Sequence, residues 1–246
     1  ALCNNAAFRA LNFSNLQVTL SGGMALTHDA ANRWQEVTGC RVSEGYGLTE
    51  TSPTVSGNPG NNQQIGTIGV PVPSTEIQIR DNEGNVLGVD EPGELCVRGP
   101  QVMAGYWQRP EATAEAIDSE GWFATGDIAT YDDEGFFYIV DRKKDMIIVS
   151  GFNVYPNELE QALTLHPAVS QCAAIGVADN KAGEVVKMFV VSTDSELTEA
   201  QVIDFCKENM AGYKVPKFVE FRNELPMTNV GKVLRKDLKA EESNKT

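Results

Sequence analysis

Tyr46-Gly47-Leu48-Thr49-Glu50 puts an aromatic ring, a hydroxyl and a carboxylate within five residues, with Gly45 and Gly47 on either side of the ring. Glycines there let a flat ring and a backbone come close to a ligand. The Thr49 hydroxyl can donate to a phosphate oxygen, and the Glu50 carboxylate can hold a hard cation such as Mg²⁺. Asp127, in Thr125-Gly126-Asp127, can accept hydrogen bonds from ribose hydroxyls. Lys232, in Asn229-Val230-Gly231-Lys232, is a cation on a loop that glycine makes flexible. Each group also has a plainer reading: a simple turn at 45–50, a turn-closing aspartate at 127, a solvated lysine at 232.

The forty residues from Gly121 to Glu160 hold the densest chemistry. Asp141-Arg142 closes one apolar run, Lys143-Lys144-Asp145 follows, and a second run from Met146 to Val149 leads into Ser150-Gly151-Phe152-Asn153. Strand, charged turn, strand and glycine loop read as a hinge with functional groups on both sides.

The elements that must position these groups follow from periodicity. Leu16 to Leu20 predicts a buried strand ending in the Ser21-Gly22-Gly23 turn. Leu26, Ala30, Trp34 and Val37 share one face of a helix over 25–38, which Gly39 stops. Arg41-Val42-Ser43 predicts a second strand, ending in a glycine turn from Glu44 to Thr51. In an α/β sheet, ligands bind beyond the carboxyl ends of the strands, where both glycine turns fall. Pro53 to Gln64 is turn-rich. Thr75–Arg80 and Gly93–Arg98 predict antiparallel strands, and 111–117 a short helix. Asp132 to Gly135 predicts a hairpin turn. Pro156 opens a helix that ends before Pro167. Strands at 170–177 and 184–192, a capping box at Thr198–Gln201, a strand at 217–221 and a final helix after a 226–235 loop complete a small α+β region. The last six or so residues read as disordered.

Composition bounds the function. The chain has 246 residues, 41% hydrophobic and 22% charged, with a net charge of −14. The acidic balance argues against a nucleic-acid partner. Residues 1–141 carry 6 arginines, no lysine and 19 acidic residues, whereas 142–246 carry 14 basic and 15 acidic ones. The basic set after Arg142 can therefore meet the phosphates of a small ligand. No run approaches the roughly 20 apolar residues of a membrane span. The five scattered cysteines, with no CxxC pair, fit small buried apolar residues in a reducing compartment rather than a disulfide framework or zinc site. His28 and His166 fall at helix ends without ligand-spaced partners. The N-terminus shows no signal peptide, and the absence of an initiator Met makes a start inside a longer protein the expectation.

Together the motifs resemble the C-terminal part of the adenylate-forming superfamily of acyl-CoA synthetases, adenylation domains and luciferases. GYGLTET, GWFATGD, DRKKDMIIVSGFNVYPNELE and PMTNVGKVLRKDL carry the resemblance, in family order, and it covers essentially the whole chain. The unbroken stretch from Gly121 to Glu158 resembles bacterial long-chain fatty-acid–CoA ligases. The resemblance implies a fold of α/β plus β in the remnant of a large domain, with a small α+β lid. Residues 1–142 would be the C-terminal portion of the large domain (1–57 an α/β piece, 58–142 mainly β) and 143–246 the mobile domain.

It also implies roles. Tyr46 would stack on adenine, with Gly22, Gly23, Glu44, Gly45 and Gly47 shaping the pocket. Thr49 would contact the α-phosphate, Glu50 would bind Mg²⁺, and Asp127, assisted by Arg142, would hold the ribose. Lys144 would be the hinge residue, Gly151 and Phe152 would line the CoA passage, and Lys232 would meet the acyl carboxylate and α-phosphate. Fatty acid, ATP and CoA are the implied substrates and Mg²⁺ the implied cofactor. A cytoplasmic location, with peripheral contact at the inner membrane and a homodimer, is compatible with the family. The family's Ser/Thr/Gly phosphate loop is not among these residues and belongs upstream, so the chain alone is expected to be inactive. A ligase for a medium-chain or aryl acid, and a non-catalytic nucleotide-binding module, remain open alternatives.

Overall fold

The computed structural model describes residues 2–23, 26–228 and 231–244. Met24 and Ala25 of the expected helix, and Asn229 and Val230 of the lysine motif, lie outside the described residues. So do the last two positions of the expected disordered tail.

The chain divides into two compact units, Ala1–Ile139 and Val140–Thr246. The sequence reading put this boundary after Arg142.

The first unit begins with a short helix α1 (Ala6–Arg9), strand β1 (Thr19–Ser21), helix α2 (His28–Thr38) and strand β2 (Val42–Gly47). Strands β3 (Thr54–Gly57) and β4 (Val70–Pro71) complete a four-stranded sheet in the order β1-β2-β3-β4. β1 and β2 are parallel, with Ser21 opposite Glu44, and the remaining pairs are antiparallel. Thr27 caps α2 by accepting from the Ala30 amide, and Gly39 ends it at φ 72°. A second sheet is an antiparallel meander of β5 (Glu76–Arg80), β6 (Gly93–Arg98), β7 (Phe123–Tyr131) and β8 (Phe137–Arg142), with helix α3 (Pro110–Ala116) between β6 and β7. A Gly69–Phe137 bridge ties the two sheets. Val55, Ile79, Leu95, Val97 and Ala129 form the shared core.

Four expectations change. β1 is an edge strand, so Val18 and Leu20 are exposed rather than buried. Glu44 to Gly47 is strand, not turn, and the turn-rich stretch after Pro53 supplies its partner β3. Thr125-Gly126-Asp127 lies inside β7 rather than in a turn between strands. Helix α6 (Arg235–Ser243) occupies part of the tail expected to be disordered.

The second unit is a five-stranded sheet with helices on both faces. β9 (Ile147–Val149) and β10 (Phe152–Val154) form a hairpin, helix α4 (Pro156–Leu163) follows, and the long hairpin β11 (Val169–Asp179) and β12 (Gly183–Ser192) is the centre. Helix α5 (Glu199–Asn209) precedes β13 (Phe218–Phe221), which pairs in parallel with β12. The two-residue alternation of β11 and β12 separates two cores. Cys172, Ala174, Val186 and Met188 pack with Leu159 of α4 and Val202 of α5. Ala173, Ile175 and Phe189 pack with Leu238 of α6. Four cysteines are buried and Cys3 is partly exposed. His166 is structural: its Nδ1 accepts from the Ala168 amide, and its ring meets the edge of Phe205.

Candidate active site

In the first unit, the carboxyl ends of the parallel strands β1 and β2 gather most of the expected nucleotide-site residues. Gly22 follows β1 beside the Gly45 carbonyl. Glu44 is buried, and its carboxylate accepts from the amides of Leu26 (3.2 Å) and Gly66 (2.7 Å), so it ties down the segments on either side. Gly47 is needed for packing: a Cβ there would sit 1.9 Å from the Pro53 carbonyl oxygen. That approach lets the chain turn back as β3. Thr51, fully buried, braces the turn with its hydroxyl, which accepts from the Leu48 amide and donates to the Pro53 carbonyl.

Asp127 is brought to Tyr46 by a bulge in β7. Cys96 pairs with Ala124 and Glu94 with Ile128, so extra residues accumulate at Thr125–Asp127. Gly126 takes φ 75°, a left-handed conformation that glycine adopts at little cost. The Thr125 hydroxyl donates to the Leu95 carbonyl, and the Glu94 carboxylate accepts from the Gly126 amide, which pins the bulge. Asp127 is 5% exposed, and the Tyr46 hydroxyl donates to its Oδ2 at 2.5 Å. The sequence placed these residues 81 positions apart; the fold joins them.

Thr49 is exposed at the start of the turn, and Glu50 is half-buried beside it. Tyr106, which the sequence reading did not assign, donates its hydroxyl to Glu50 Oε1 at 3.1 Å. The Glu50 carbonyl also accepts from the Met103 amide. Tyr106 is exposed, so only partial desolvation, and then the Glu50 bond, raise its phenol above the ordinary range. Among the described residues no three His, Cys, Asp or Glu side chains converge as a metal cage. A cation at this turn would have the single hard carboxylate of Glu50.

In the second unit, Arg142 and Lys144 are exposed, the latter in a one-turn 3₁₀ segment, Lys143–Asp145. Asp141 is 1% exposed and accepts from the amides of Arg142 and Asn157; burial raises its carboxyl above the usual range. Ser150 (φ 52°) and Gly151 (φ 87°) form the tight β9–β10 turn, whose Ser150 amide donates to Ala182. Phe152 stacks on Tyr213 with ring centres 4.7 Å apart. Lys232 is exposed on a closed hairpin, where the Thr228 amide donates to its carbonyl and its own amide donates to the Thr228 hydroxyl.

Arg235, which the sequence reading also did not assign, starts α6. Its guanidinium grips Glu160 with two bonds (2.7 and 3.1 Å) and Asn157 with a third (2.7 Å). Burial raises the Glu160 carboxyl, and Arg235 opposes that. Both side chains are partly buried (Arg235 14% and Glu160 17% exposed), so losing either partner leaves the other charge poorly solvated.

Residues 1–107 match the family model of AMP-binding enzymes, and residues 158–232 match that of the AMP-binding enzyme C-terminal domain. A long-chain-fatty-acid–CoA ligase of Escherichia coli O157:H7 is 55% identical over all of this chain and 44% of its own length. One from Yersinia pestis is 54% identical over 98% of this chain and 43% of its own. The solved structure of ATP-bound MatB from Rhodopseudomonas palustris superposes with a TM-score of 0.83 at 35% identity, over 91% of this chain and 45% of that one. The chain thus spans less than half the length of each of these relatives.

Proposed function

Because the chain belongs to the AMP-binding enzyme family, we propose that the whole protein activates long-chain fatty acids, joining ATP, acid and CoA into acyl-CoA, AMP and pyrophosphate through an acyl adenylate. The observation that carries this reading is the pairing of Tyr46 with buried Asp127 at the carboxyl end of β2, beside Thr49 and Glu50. A ring to stack on adenine and a carboxylate to accept from ribose hydroxyls are then held by one hydrogen bond. The 54–55% identity to fatty-acid–CoA ligases supports the choice of acid.

The chemistry suits these groups. Acid carboxylate attacks the α-phosphorus and pyrophosphate leaves, so two anions meet and negative charge builds up. Thr49 would donate to the α-phosphate. Glu50 would hold Mg²⁺, and such an ion would offset phosphate charge. Lys232 would supply the second offset at the carboxylate and α-phosphate. A single contact of this type contributes about 3–4 kcal/mol to the transition state. Arg142 would assist Asp127 at the ribose. For the second step, Gly151 and Phe152 would line the passage for the CoA thiol. Residues 143–246 would turn about Lys144 to exchange Lys232 for that passage.

A panel of long-chain, medium-chain and aryl acids with ATP and CoA, read by mass spectrometry of the acyl-CoA made by the whole protein, tests the proposal. Turnover greatest with long-chain acids supports it; turnover only with aryl acids, or none, overturns it. The isolated 246-residue chain is expected to show no turnover in the same assay.

A further inference from the structure

The helix behind Lys232 also grips the segment from Val140 to Asp145. The Lys232 hairpin is closed by the Met227–Val233 bridge and by the Leu234 amide donating to Pro226, and α6 begins at the next residue. Arg235 reaches Glu160 and Asn157 of α4 and lies 3.8 Å from Asp145. Lys239, one helical turn on, donates to the Lys144 carbonyl at 3.1 Å and lies 3.6 Å from Asp145. Asn157 completes the connection, since its amide donates to Asp141 and its side chain to the Val140 carbonyl. Two carboxylates (Asp145, Glu160) thus meet two cations on one face of α6, and Asp141 is tied to them through Asn157. Both ends of the 140–145 segment are held by it, directly or through Asn157.

We propose that Arg235 and Lys239 are positioning residues, a clamp that makes the Lys232 hairpin and the 140–145 segment one rigid piece. The inference rests on the role proposed above for Lys232 in adenylation. A cation on a free loop samples many positions, and a misplacement of about 1 Å can cost roughly 100-fold in rate. With the clamp in place, the location of Lys232 is set by whatever sets the hinge. Neither clamp residue touches nucleotide in this account, so their loss should lower kcat rather than raise KM for ATP.

The test separates the two half-reactions in the whole protein. Lys239→Met, at a partly exposed position, and Arg235→Gln should each lower acid-dependent ATP–pyrophosphate exchange by about 10–100-fold at nearly constant KM for ATP. Thioester formation from preformed acyl adenylate and CoA, which does not use Lys232, should stay within about twofold of the unmodified protein. Arg235→Lys, which keeps the charge without the two-bond grip, should recover part of the loss. Equal losses in both half-reactions, or no loss in exchange, overturn the inference. A second readout does not depend on the activity: in the 246-residue chain, amide hydrogen exchange at Lys232 and Leu234 should quicken about tenfold or more in Lys239→Met. Unchanged exchange there overturns the clamp even if the fatty-acid reading holds. Quickened exchange in a protein that activates no acid upholds the clamp and removes only that reading.

Discussion

Tyr46→Phe deletes one oxygen and keeps the ring, which isolates the Tyr46–Asp127 bond. That bond is 2.5 Å long and ends on a carboxylate that is 5% exposed. A hydrogen bond to a charged group contributes about 1.5–3 kcal/mol net. For a unit of this size that corresponds to roughly 4–10 °C in the melting temperature. Ring stacking survives in this variant, so AMP affinity should fall no more than about threefold. Asp127→Asn has a different expected profile. It removes the negative acceptor, and losing charge-assisted bonds of about 1.5–3 kcal/mol predicts an AMP affinity lower by about 10–150-fold. Circular-dichroism melting and calorimetric titration with AMP read the two effects separately. An unchanged melting temperature in Tyr46→Phe would refute the structural part of this reasoning. An unchanged AMP affinity in Asp127→Asn would show that the carboxylate is not the ribose acceptor.

Gly47→Ala forces a methyl against the Pro53 carbonyl and should cost about 3 kcal/mol or more, seen as a lower urea midpoint; a midpoint equal to that of the unmodified chain would contradict the close approach. Burial pushes the thiols of Cys172 and Cys206 up to about 12 and about 11, and Cys40 and Cys96 are buried as well. A thiol-reactive dye at pH 7.5 should therefore label Cys3 promptly and all five cysteines only after denaturation; rapid labelling of Cys172 in the native chain counts against this packing. The Lys217 ammonium beside Asp179 pulls its carboxyl down to about 2. Because the folded value is depressed, the stabilising effect of this pair is complete above the ordinary carboxylate range and disappears as pH falls through about 2. Carboxyl NMR shifts should place the Asp179 midpoint there and move it up in Lys217→Met; a midpoint already in the ordinary range would remove this pair from the account.

Local features are legible in the sequence. The capping box at Thr198 and Gln201 forms both reciprocal bonds, Gly39 ends its helix at positive φ, and the β11 and β12 runs become the central hairpin. These features depend on neighbours a few residues apart. The glycines at 45 and 47 are ambiguous in sequence because a missing Cβ serves equally in a turn and in close pairing of strands; the approach of Ser56 to Gly45 and of Pro53 to Gly47 decides, and that depends on how β3 pairs. The Thr-Gly-Asp pattern marks Asp127 in the sequence, but the bulge that aims it depends on Glu94 and Leu95 in the neighbouring strand. Tyr106 meets Glu50 across 56 residues, and Arg235 meets Glu160 across 75. Neither contact has a local pattern, so nothing in composition or periodicity could have announced it. Arg235 lies inside the motif that contains Lys232, and that proximity was the one available hint.

The central claim is that these residues belong to an enzyme that adenylates a long-chain acid with Lys232 at the reacting carboxylate. Acid-dependent ATP–pyrophosphate exchange, measured in the whole protein with and without Lys232→Ala, tests it most directly. The account predicts exchange driven by a long-chain fatty acid that falls by about 100-fold or more when the cation is removed, since one such contact contributes about 3–4 kcal/mol. Exchange that is independent of added acid, or that survives the loss of Lys232, would contradict it.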